Sequence, residues 1–287
     1  MNRCVSYDRA TLVCALREVG LGAGDTVFSH VSAGMLGYPR EGRAEETAWR
    51  VIVEAFLTVL GESGTWLLPT YSYTYTKPGE VYEPAYTPSE VGAFTEYFRT
   101  LRRARRSLDP IFSVAALGPR CKELIGDLPH DCFGGDCVYA RLTRVGAKLC
   151  NLGVGFRYAT YIHHAEQMLG VPYRFPKYFT GVSRADGQER KETWLYNVRA
   201  LEDEAGLPDL RRLETEVRSR GLLSVARVGI GQVTCIDLPD LYALCSECVR
   251  RDPWFMARGG ATDYSGDRID QSGRVEFSPA LGPSSGR

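Results

Sequence analysis

A short apolar run that ends in glycines and leads into a helical pattern most constrains the fold of this chain. Within residues 145–179, the apolar segment 147–152 predicts a buried strand. Gly153 and Gly155 break this strand, and helical spacing resumes near Thr160. In an open α/β sheet, the edge where strands end in such turns is the usual place for a ligand. The segment therefore predicts an α/β protein with its site at this turn.

The same alternation of strand and helix continues along the chain. Helices are predicted over residues 8–19, with Asp8 as cap, over 44–60, over 87–101, with Thr87 or Ser89 as cap, and over 238–256. Residues 181–199 predict a hairpin that turns at Asp186-Gly187, and residues 222–238 predict a strand pair. Because no repeat or clean linker interrupts the pattern, we expect a single domain over 1–256 and a flexible or edge-lying tail over 257–287.

Composition excludes several functional classes. The 287 residues are 44% hydrophobic and 24% charged with a formal net charge of zero, so no strong field attracts nucleic acid or an anionic membrane. The longest apolar run, residues 51–60, contains Glu54 and is shorter than the ~18–20 residues of a membrane span. Nine cysteines, an odd number, together with a charged N-terminus fit reduced thiols in a cytoplasm. We expect a cytoplasmic protein, monomeric or homodimeric.

The most informative polar residues lie on the helix that follows the glycines. Thr160, His163 and Glu166 are spaced i, i+3, i+6, which places neighbours on one helix face. An imidazole beside a carboxylate is suited to act as a general base near neutral pH. The alternatives are an exposed surface pair or a metal site that includes His164. Adjacent histidines point about 100° apart on a helix, which disfavours a shared ion, and we expect no metal.

Three other segments offer ligand-binding groups. The turn at residues 29–37 supplies hydroxyls and free backbone N–H groups and is suited to a phosphate or a pantetheine amide. Its contributing residues are Ser29, His30, Ser32, Gly34 and Gly37. Residues 70–73 (Thr70, Tyr71, Ser72, Tyr73) line the loop after a strand with hydroxyls, which indicates either a contact surface or structural tyrosines. The basic run 102–106 is either a solvated face or a counter-charge for the phosphates of a nucleotide-bearing cosubstrate.

Cysteine pairs and a glycine-rich turn leave further alternatives open. Cys245 and Cys248 form a CxxC motif, and Cys132 and Cys137 lie close together. They are either packing residues or redox or zinc groups. The turn that contains Asp136 precedes a short helix, and we expect Asp136 to contribute to a substrate site.

In order, these segments resemble the aminoglycoside 3-N-acetyltransferase family, the antibiotic N-acetyltransferases that are not of the GNAT type. The resemblance covers residues 8–256, and its six ordered signatures are GDTVFSHVS, GTWLLPT, TPSEVGAFTEYFR, RSLDPIFSVAALG, CFGGDC and GVGFRYATYIHHAE. It implies a three-layer α/β/α domain around a mixed sheet. It also implies transfer of an acetyl group from acetyl-coenzyme A to an amine. Because no cysteine occupies a signature position for an acyl-enzyme, we expect direct transfer in a ternary complex.

The resemblance also implies roles for individual residues. His163 matches the general base, Glu166 the carboxylate of the same motif, and Thr160 a hydroxyl near the thioester. Segments that hold coenzyme A are matched by Ser32 with its turn and Gly37, by Thr70, and by Arg106, Ser107 and Ser113. Tyr71, Tyr73 and Asp136 are the expected substrate contacts. His164 has no assigned role.

Departures from the family pattern bear on the acceptor. Relatives often have Ser-Pro where this chain has Cys137-Val138, and resistance enzymes tend to be acidic whereas this chain is neutral. Arg174 and Lys177 predict a cationic flank beyond the catalytic helix, which would repel a polycation. We therefore expect a biosynthetic amine, such as an amino sugar or modified amino acid, ahead of an aminoglycoside drug. A non-catalytic coenzyme-A-binding homologue and, from RVGIGQ at residues 227–232, a GNAT enzyme are the other hypotheses.

Overall fold

The computed structural model describes residues 6–259, which form eight α-helices and ten β-strands. The helices are α1 (Arg9–Glu18), α2 (Glu45–Leu60), α3 (Ala93–Arg99), α4 (Cys121–Ile125), α5 (Val138–Arg144), α6 (Ile162–Leu169), α7 (Arg211–Ser219) and α8 (Leu238–Arg251). The strands are β1 (Thr26–Phe28), β2 (Thr65–Pro69), β3 (Val81–Tyr82), β4 (Arg105–Arg106), β5 (Val114–Leu117), β6 (Lys148–Leu152), β7 (Phe175–Ala185), β8 (Gln188–Val198), β9 (Ser224–Val228) and β10 (Gly231–Asp237).

Seven of the strands within the described residues form one mixed sheet in the order β4-β5-β2-β1-β6-β10-β9. Strands β2, β1 and β6 are parallel, while β5 and β10 join this parallel centre in antiparallel pairing on either side. Because parallel strands end at the same edge, the segments that follow β1, β2 and β6 converge there.

Alternate residues of the central strands pack into two separate cores. In β2, Trp66 and Leu68 face the core built with α1, α2 and α3, while Leu67 faces the core built with α5, α6 and α8. Successive side chains of a strand point to opposite faces, so helices cover both sides of the sheet. The predicted three-layer α/β/α architecture around a mixed sheet is confirmed.

A smaller sheet, in the order β3-β7-β8, lies beside this domain. Strands β7 and β8 form the predicted hairpin, with Asp186 and Gly187 at positive φ in its turn. Gly181 in β7 packs flat on the ring of Tyr75, where an added Cβ would lie 2.5 Å from a ring carbon. The inner face of this hairpin is therefore held against the loop that follows β2.

Of two predicted boundaries, one differs from the structure and the other falls mostly outside the described residues. The helix expected from residue 87 begins at Ala93, and Gly92 with φ of 136° is its cap, so the expectation of Thr87 or Ser89 as cap is wrong. Of the predicted tail, residues 260–287 lie outside the described residues, and Ala257 forms an isolated bridge with Pro208. Within residues 6–259, no helix combines the length and apolarity needed to cross a bilayer.

Candidate active site

Several of the predicted site residues lie at the edge where β1, β2 and β6 end. After β1, Val31 bridges Leu152, and the Ser32 N–H donates to the Leu152 carbonyl over 2.9 Å. The turn from Ala33 to Leu36 is a 3₁₀ helix that ends at Gly37, whose φ is 81°. The sequence therefore places the Ser32 turn directly beside the end of β6.

Glycines allow this turn to approach the backbone of neighbouring strands. An added Cβ on Gly153 would lie 2.2 Å from the Ser32 carbonyl oxygen, and one on Gly229 would lie 2.1 Å from the Leu36 carbonyl oxygen. Contacts this short are impossible for real carbon atoms, so only glycine fits at either position. The glycine that ends the predicted strand thus serves to seat the Ser32 turn.

Helix α6 carries the His163–Glu166 pair at its N-terminal half. The Nδ1 atom of His163 lies 2.7 Å from Oε2 of Glu166, and the His163 N–H donates to the Thr160 carbonyl over 3.0 Å. The Glu166 side chain is fully buried, whereas 18% of the His163 side chain is exposed. The spacing therefore produces a buried pair with an accessible imidazole edge, not an exposed surface contact.

Two residues from the chain just after α6 complete this pair. The hydroxyl of Tyr173 donates to Oε1 of Glu166 over 3.1 Å. The guanidinium of Arg174 forms an ion pair with Glu166 through Nε, and its Nη2 lies 2.9 Å from His163 Nδ1. Arg174 is buried, so the expectation that it belongs to a cationic flank facing the substrate is wrong. Burying this cation requires a carboxylate partner, and Glu166 supplies it.

His163 Nδ1 cannot serve Glu166 and Arg174 at the same time. A carboxylate only accepts hydrogen bonds and a guanidinium only donates them. With a proton on Nδ1, the imidazole donates to Glu166 and leaves a lone pair on Nε2. With the proton on Nε2, Nδ1 accepts from Arg174 and Nε2 cannot act as a base. The competition between Glu166 and Arg174 therefore sets the tautomer of His163.

Burial and the contacts with Arg174 shift the pKa values of His163 and Glu166. Burial, followed by the Arg174 charge, lowers the pKa of His163 below 6.5, and Glu166 opposes this change. For Glu166, burial favours protonation, but His163 and Arg174 outweigh it and lower the pKa of the carboxyl. Near neutral pH the pair is therefore a neutral imidazole beside an ionised carboxylate.

Thr160 lies in a second set of polar contacts. Its N–H points at Nε2 of His30 over 3.4 Å, and its side chain lies close to the hydroxyl of Tyr71. Tyr71 is buried and shares a 2.6 Å hydrogen bond with the hydroxyl of Tyr139. Burial lowers the pKa of His30 to about 4, so its ring is neutral and can accept from Thr160. Thr160 is thus fixed between the ends of β1, β2 and β6.

The other expected coenzyme-A residues form one cluster beside β2. Arg106 donates through Nε to the hydroxyls of Thr70 and Ser113 over 3.2 Å and 3.1 Å, and through its terminal nitrogens to backbone carbonyls. The Ser113 hydroxyl donates to the Thr70 carbonyl, while the Ser107 hydroxyl accepts from the Val114 N–H. These contacts of the Arg106 guanidinium fix the turn after β2.

The remaining predicted substrate residues lie apart from one another. Tyr73 is half-buried with φ of 53°, and its ring contacts Phe112. Asp136 is exposed and pairs with Arg141 over 2.8 Å and with Arg144. The structure therefore places the Tyr73 ring against Phe112 and Asp136 on the surface at the start of α5.

The cysteines named in the sequence analysis and His164 are buried and contact other core residues. Cys245 and Cys248 are buried on α8, and His164 Nδ1 donates to the Phe133 carbonyl over 2.8 Å. Cys137 lies 3.7 Å from the same His164 nitrogen, and burial raises its pKa to about 12. In the described part of the chain, no group of three or more His, Cys, Asp or Glu residues is arranged to hold a metal ion.

Sequence reasoning missed His30 and misjudged Arg174. His30 directly follows β1 in the segment SHVS, and this position at the end of a parallel strand was the available signal. Arg174 is eight residues beyond Glu166 and returns to it only because the chain reverses after Gly170, whose φ is 63°. No sequence periodicity indicates this contact.

Comparisons with known proteins identify the family of this chain. The family model described as aminoglycoside 3-N-acetyltransferase matches residues 29–250. Aminoglycoside N(3)-acetyltransferase IV of Salmonella sp. is 27% identical over 250 residues, which covers 86% of this chain and 89% of that protein. A histidine-to-alanine mutant of AAC(3)-IVa in complex with a gentamicin is 25% identical with a TM-score of 0.71, covering 89% of this chain and 93% of the other.

A further solved structure is similar to this chain in fold. AAC-IIIb in a binary complex with CoASH is 21% identical with a TM-score of 0.73, covering 88% of this chain and 98% of that one. The expected family, fold and acyltransferase class are therefore confirmed. Because the family model matches a range that includes the sheet edge and helix α6, the chain belongs to the aminoglycoside 3-N-acetyltransferase family.

Proposed function

We propose that this enzyme transfers the acetyl group of acetyl-coenzyme A directly to a primary amine, with His163 as general base. The observation that carries the proposal is the 2.7 Å contact between Nδ1 of the partly accessible His163 and the buried carboxylate of Glu166. The histidine-to-alanine mutant of AAC(3)-IVa was studied with a gentamicin and AAC-IIIb with CoASH, which supports this pair of substrates.

The chemistry requires a base because an alkylammonium, with a pKa near 10, must lose a proton before it attacks a thioester. In the tautomer that donates from Nδ1 to Glu166, His163 Nε2 takes this proton, and the free amine then attacks the thioester carbonyl. As the C–N bond forms and the C–S bond breaks, a second proton of the nitrogen passes to the sulfur, and coenzyme A leaves as the thiol. The imidazolium that results lies beside the Glu166 anion, which stabilises it. A buried counter-charge of this kind costs no reorganisation during the reaction.

The developing oxyanion of the thioester carbonyl needs a hydrogen-bond donor. The Thr160 hydroxyl and the backbone N–H groups of Ala33 and Gly34, which follow Ser32, lie at the same sheet edge as His163. One such donor contributes on the order of 3 kcal/mol to the transition state. We assign the turn at residues 32–37 to the cosubstrate, and the cluster of Arg106, Ser107 and Ser113 to support of the Thr70 turn.

The acetyl group passes to the amine without a cysteine intermediate. Cys132 and Cys137 are buried, and burial raises the pKa of both thiols, which disfavours the nucleophilic thiolate. The eight cysteines among the described residues are free thiols, which supports a reducing compartment, the cytoplasm.

A thiol-release assay with acetyl-coenzyme A and a panel of primary amines tests the proposal. We expect His163→Ala to lower kcat by about 10²- to 10⁴-fold while the Kd for acetyl-coenzyme A changes little. His164→Ala, at the neighbouring position, is the matched control for general disruption of α6. Equal loss in both variants, or normal turnover of His163→Ala, would contradict a general-base role.

An aminoglycoside acceptor is the second candidate function. The names of the relatives favour it, since Salmonella aminoglycoside N(3)-acetyltransferase IV aligns along most of its length with this chain. The same assay with gentamicin distinguishes the two acceptors.

A further inference from the structure

A cleft at the β4 end of the large sheet lies apart from the catalytic edge. It encloses a cavity of about 890 Å³, bordered by the segment after α3, by β4, by α4 and by strand β8 of the hairpin. Gly118 lines it just after β5, where Leu117 pairs with Trp66 near the start of β2. The catalytic edge, in contrast, follows the opposite end of β2 at Thr70. The cleft is therefore separate from that edge, and its volume suits a small ligand.

Cationic side chains dominate the wall of this cleft. Arg102, Arg103, Arg105, Lys122 and Arg190 all border the cavity. Within residues 6–259, none of these five side chains has a carboxylate within ion-pair distance. Arg106 also borders the cavity, but its guanidinium is held by the turn after β2. Because like charges around one cavity repel each other, an anion bound among them lowers the energy of the cleft.

Fewer carboxylates than cations border the cleft. Among the described residues that line it, the carboxylates are those of Asp127, Asp186 and Glu192. Glu192 lies 3.8 Å from Nε2 of His130 and accepts a hydrogen bond from the Ser183 hydroxyl over 3.2 Å, so part of its charge is already engaged. The cleft is therefore cationic, although the chain as a whole has a formal net charge of zero.

The same cleft also offers apolar and aromatic surface. Leu108, Ile125, Leu128 and Trp194 border the cavity beside the cations. The His130 ring stacks on the buried Trp194 ring, with centroids 4.9 Å apart and planes inclined by 20°, and 48% of the His130 side chain is exposed. A flat ring with an open face suits stacking by a nucleobase. The cleft thus combines cations for an anionic group with a surface for a flat ring.

We propose that this cleft binds a purine nucleotide that carries two or more phosphate groups. Arg102, Arg103 and Arg105 contact the phosphates, since the fork of a guanidinium matches phosphate oxygens, and the base stacks on His130. Two sources supply this chemistry, the phosphorylated adenosine end of coenzyme A and a free nucleotide such as ADP. Binding at this cleft is independent of the proposed acetyl transfer, because it is measured without turnover.

Isothermal titration calorimetry of the full chain with ADP, adenosine 3′,5′-bisphosphate and adenosine tests the inference. We expect one-to-one binding of at least one of the two phosphorylated nucleotides at low ionic strength, and weaker binding at high salt because exposed charges are screened. Adenosine, which lacks phosphates, should bind at least about tenfold more weakly. The double substitution Arg103→Ser and Arg105→Ser should raise the Kd of the phosphorylated nucleotide at least about tenfold, since it removes two exposed cations from the cleft.

Competition with acetyl-coenzyme A identifies the source of the nucleotide. If acetyl-coenzyme A displaces the bound nucleotide, and its own Kd rises in the double variant, the cleft holds the nucleotide end of the cosubstrate. If acetyl-coenzyme A binds the nucleotide-saturated protein with an unchanged Kd, the cleft is a separate site for a free nucleotide. Either result supports a nucleotide in the cleft.

Arg17→Ser is the matched control, because Arg17 is also an exposed arginine without a carboxylate partner among the described residues. It lies on α1, which packs against β9 at the other end of the sheet from β4, so the Kd should not change. Absence of binding by both phosphorylated nucleotides, an equal Kd for adenosine, or equal effects of the control and the double substitution would overturn the inference. Thiol release measured on the same preparation reports the proposed acetyl transfer separately, so loss of nucleotide binding with intact turnover counts against the cleft alone.

Discussion

Arg174→Gln is the substitution that most directly probes the buried pair. Wild-type Arg174 lies 2.9 Å from His163 Nδ1 and is an ion-pair partner of Glu166. Its charge is the second cause, after burial, of the lowered pKa of His163. Removing it leaves the buried Glu166 anion beside the imidazole alone, so the pKa of His163 should rise.

The direction of the resulting pH effect follows from the base mechanism. A general base must be neutral, so activity is lost as pH falls through the folded-state pKa of His163. Because this pKa lies below 6.5 in the wild type, the acidic limb of kcat/KM should lie below that pH. In Arg174→Gln the limb should move to higher pH, and the plateau should require a more alkaline buffer.

The same change should lower stability. Breaking a buried ion pair by removing one partner costs about 3–5 kcal/mol, because the other charge stays buried without compensation. For a chain of this size the expected decrease in Tm is about 6–20 °C. Thermal unfolding at pH 8 measures this decrease, and pH-rate profiles from thiol release measure the limb. Arg174→Lys, which keeps the charge, is the control, and an unshifted limb in Arg174→Gln would refute the reasoning.

Three further substitutions test other parts of the site. Glu166→Gln keeps the shape but removes the charge that holds the imidazole proton, so kcat should fall about 10²-fold or more in steady-state assays. Gly153→Ala drives a Cβ to 2.2 Å from the Ser32 carbonyl and should raise KM for acetyl-coenzyme A, whereas Gly146→Ala, at a similar φ in open space, should only lower Tm. His30 has a pKa of about 4 in the folded protein, against an ordinary value of 6.5. Its contribution to stability is therefore complete above pH 6.5 and is lost as the pH falls toward 4. In chemical denaturation, the free energy of unfolding of His30→Gln should depend less on pH over this range.

The fold was largely predictable because its elements have regular apolar periods. In α2, the buried positions Val51, Ile52 and Phe56 follow helical spacing, and those of β2 form a continuous buried run between two helical layers. The start of α3 was not predictable from its cap residues. Glu90 N donates to the Tyr71 carbonyl, and this tertiary contact together with the positive φ at Gly92 delays the helix.

The site was predictable where its residues are close in sequence. Thr160, His163 and Glu166 lie on one helical stretch, so spacing alone places them together. His30 reaches Thr160 across 130 residues, and only the register of β1 beside β6 brings them together. Contacts of this kind depend on sheet order, which the sequence pattern does not specify.

Because Arg174 is buried, it cannot contribute to the predicted repulsion of a polycationic acceptor. As a partner of Glu166, Arg174 has its charge compensated and cannot repel a substrate. Lys177 remains as the cation on the inner face of the hairpin, with its ammonium over the Phe179 ring. An exposed single charge has a screened effect beyond about 10 Å, so Lys177 alone would weaken polycation binding only modestly.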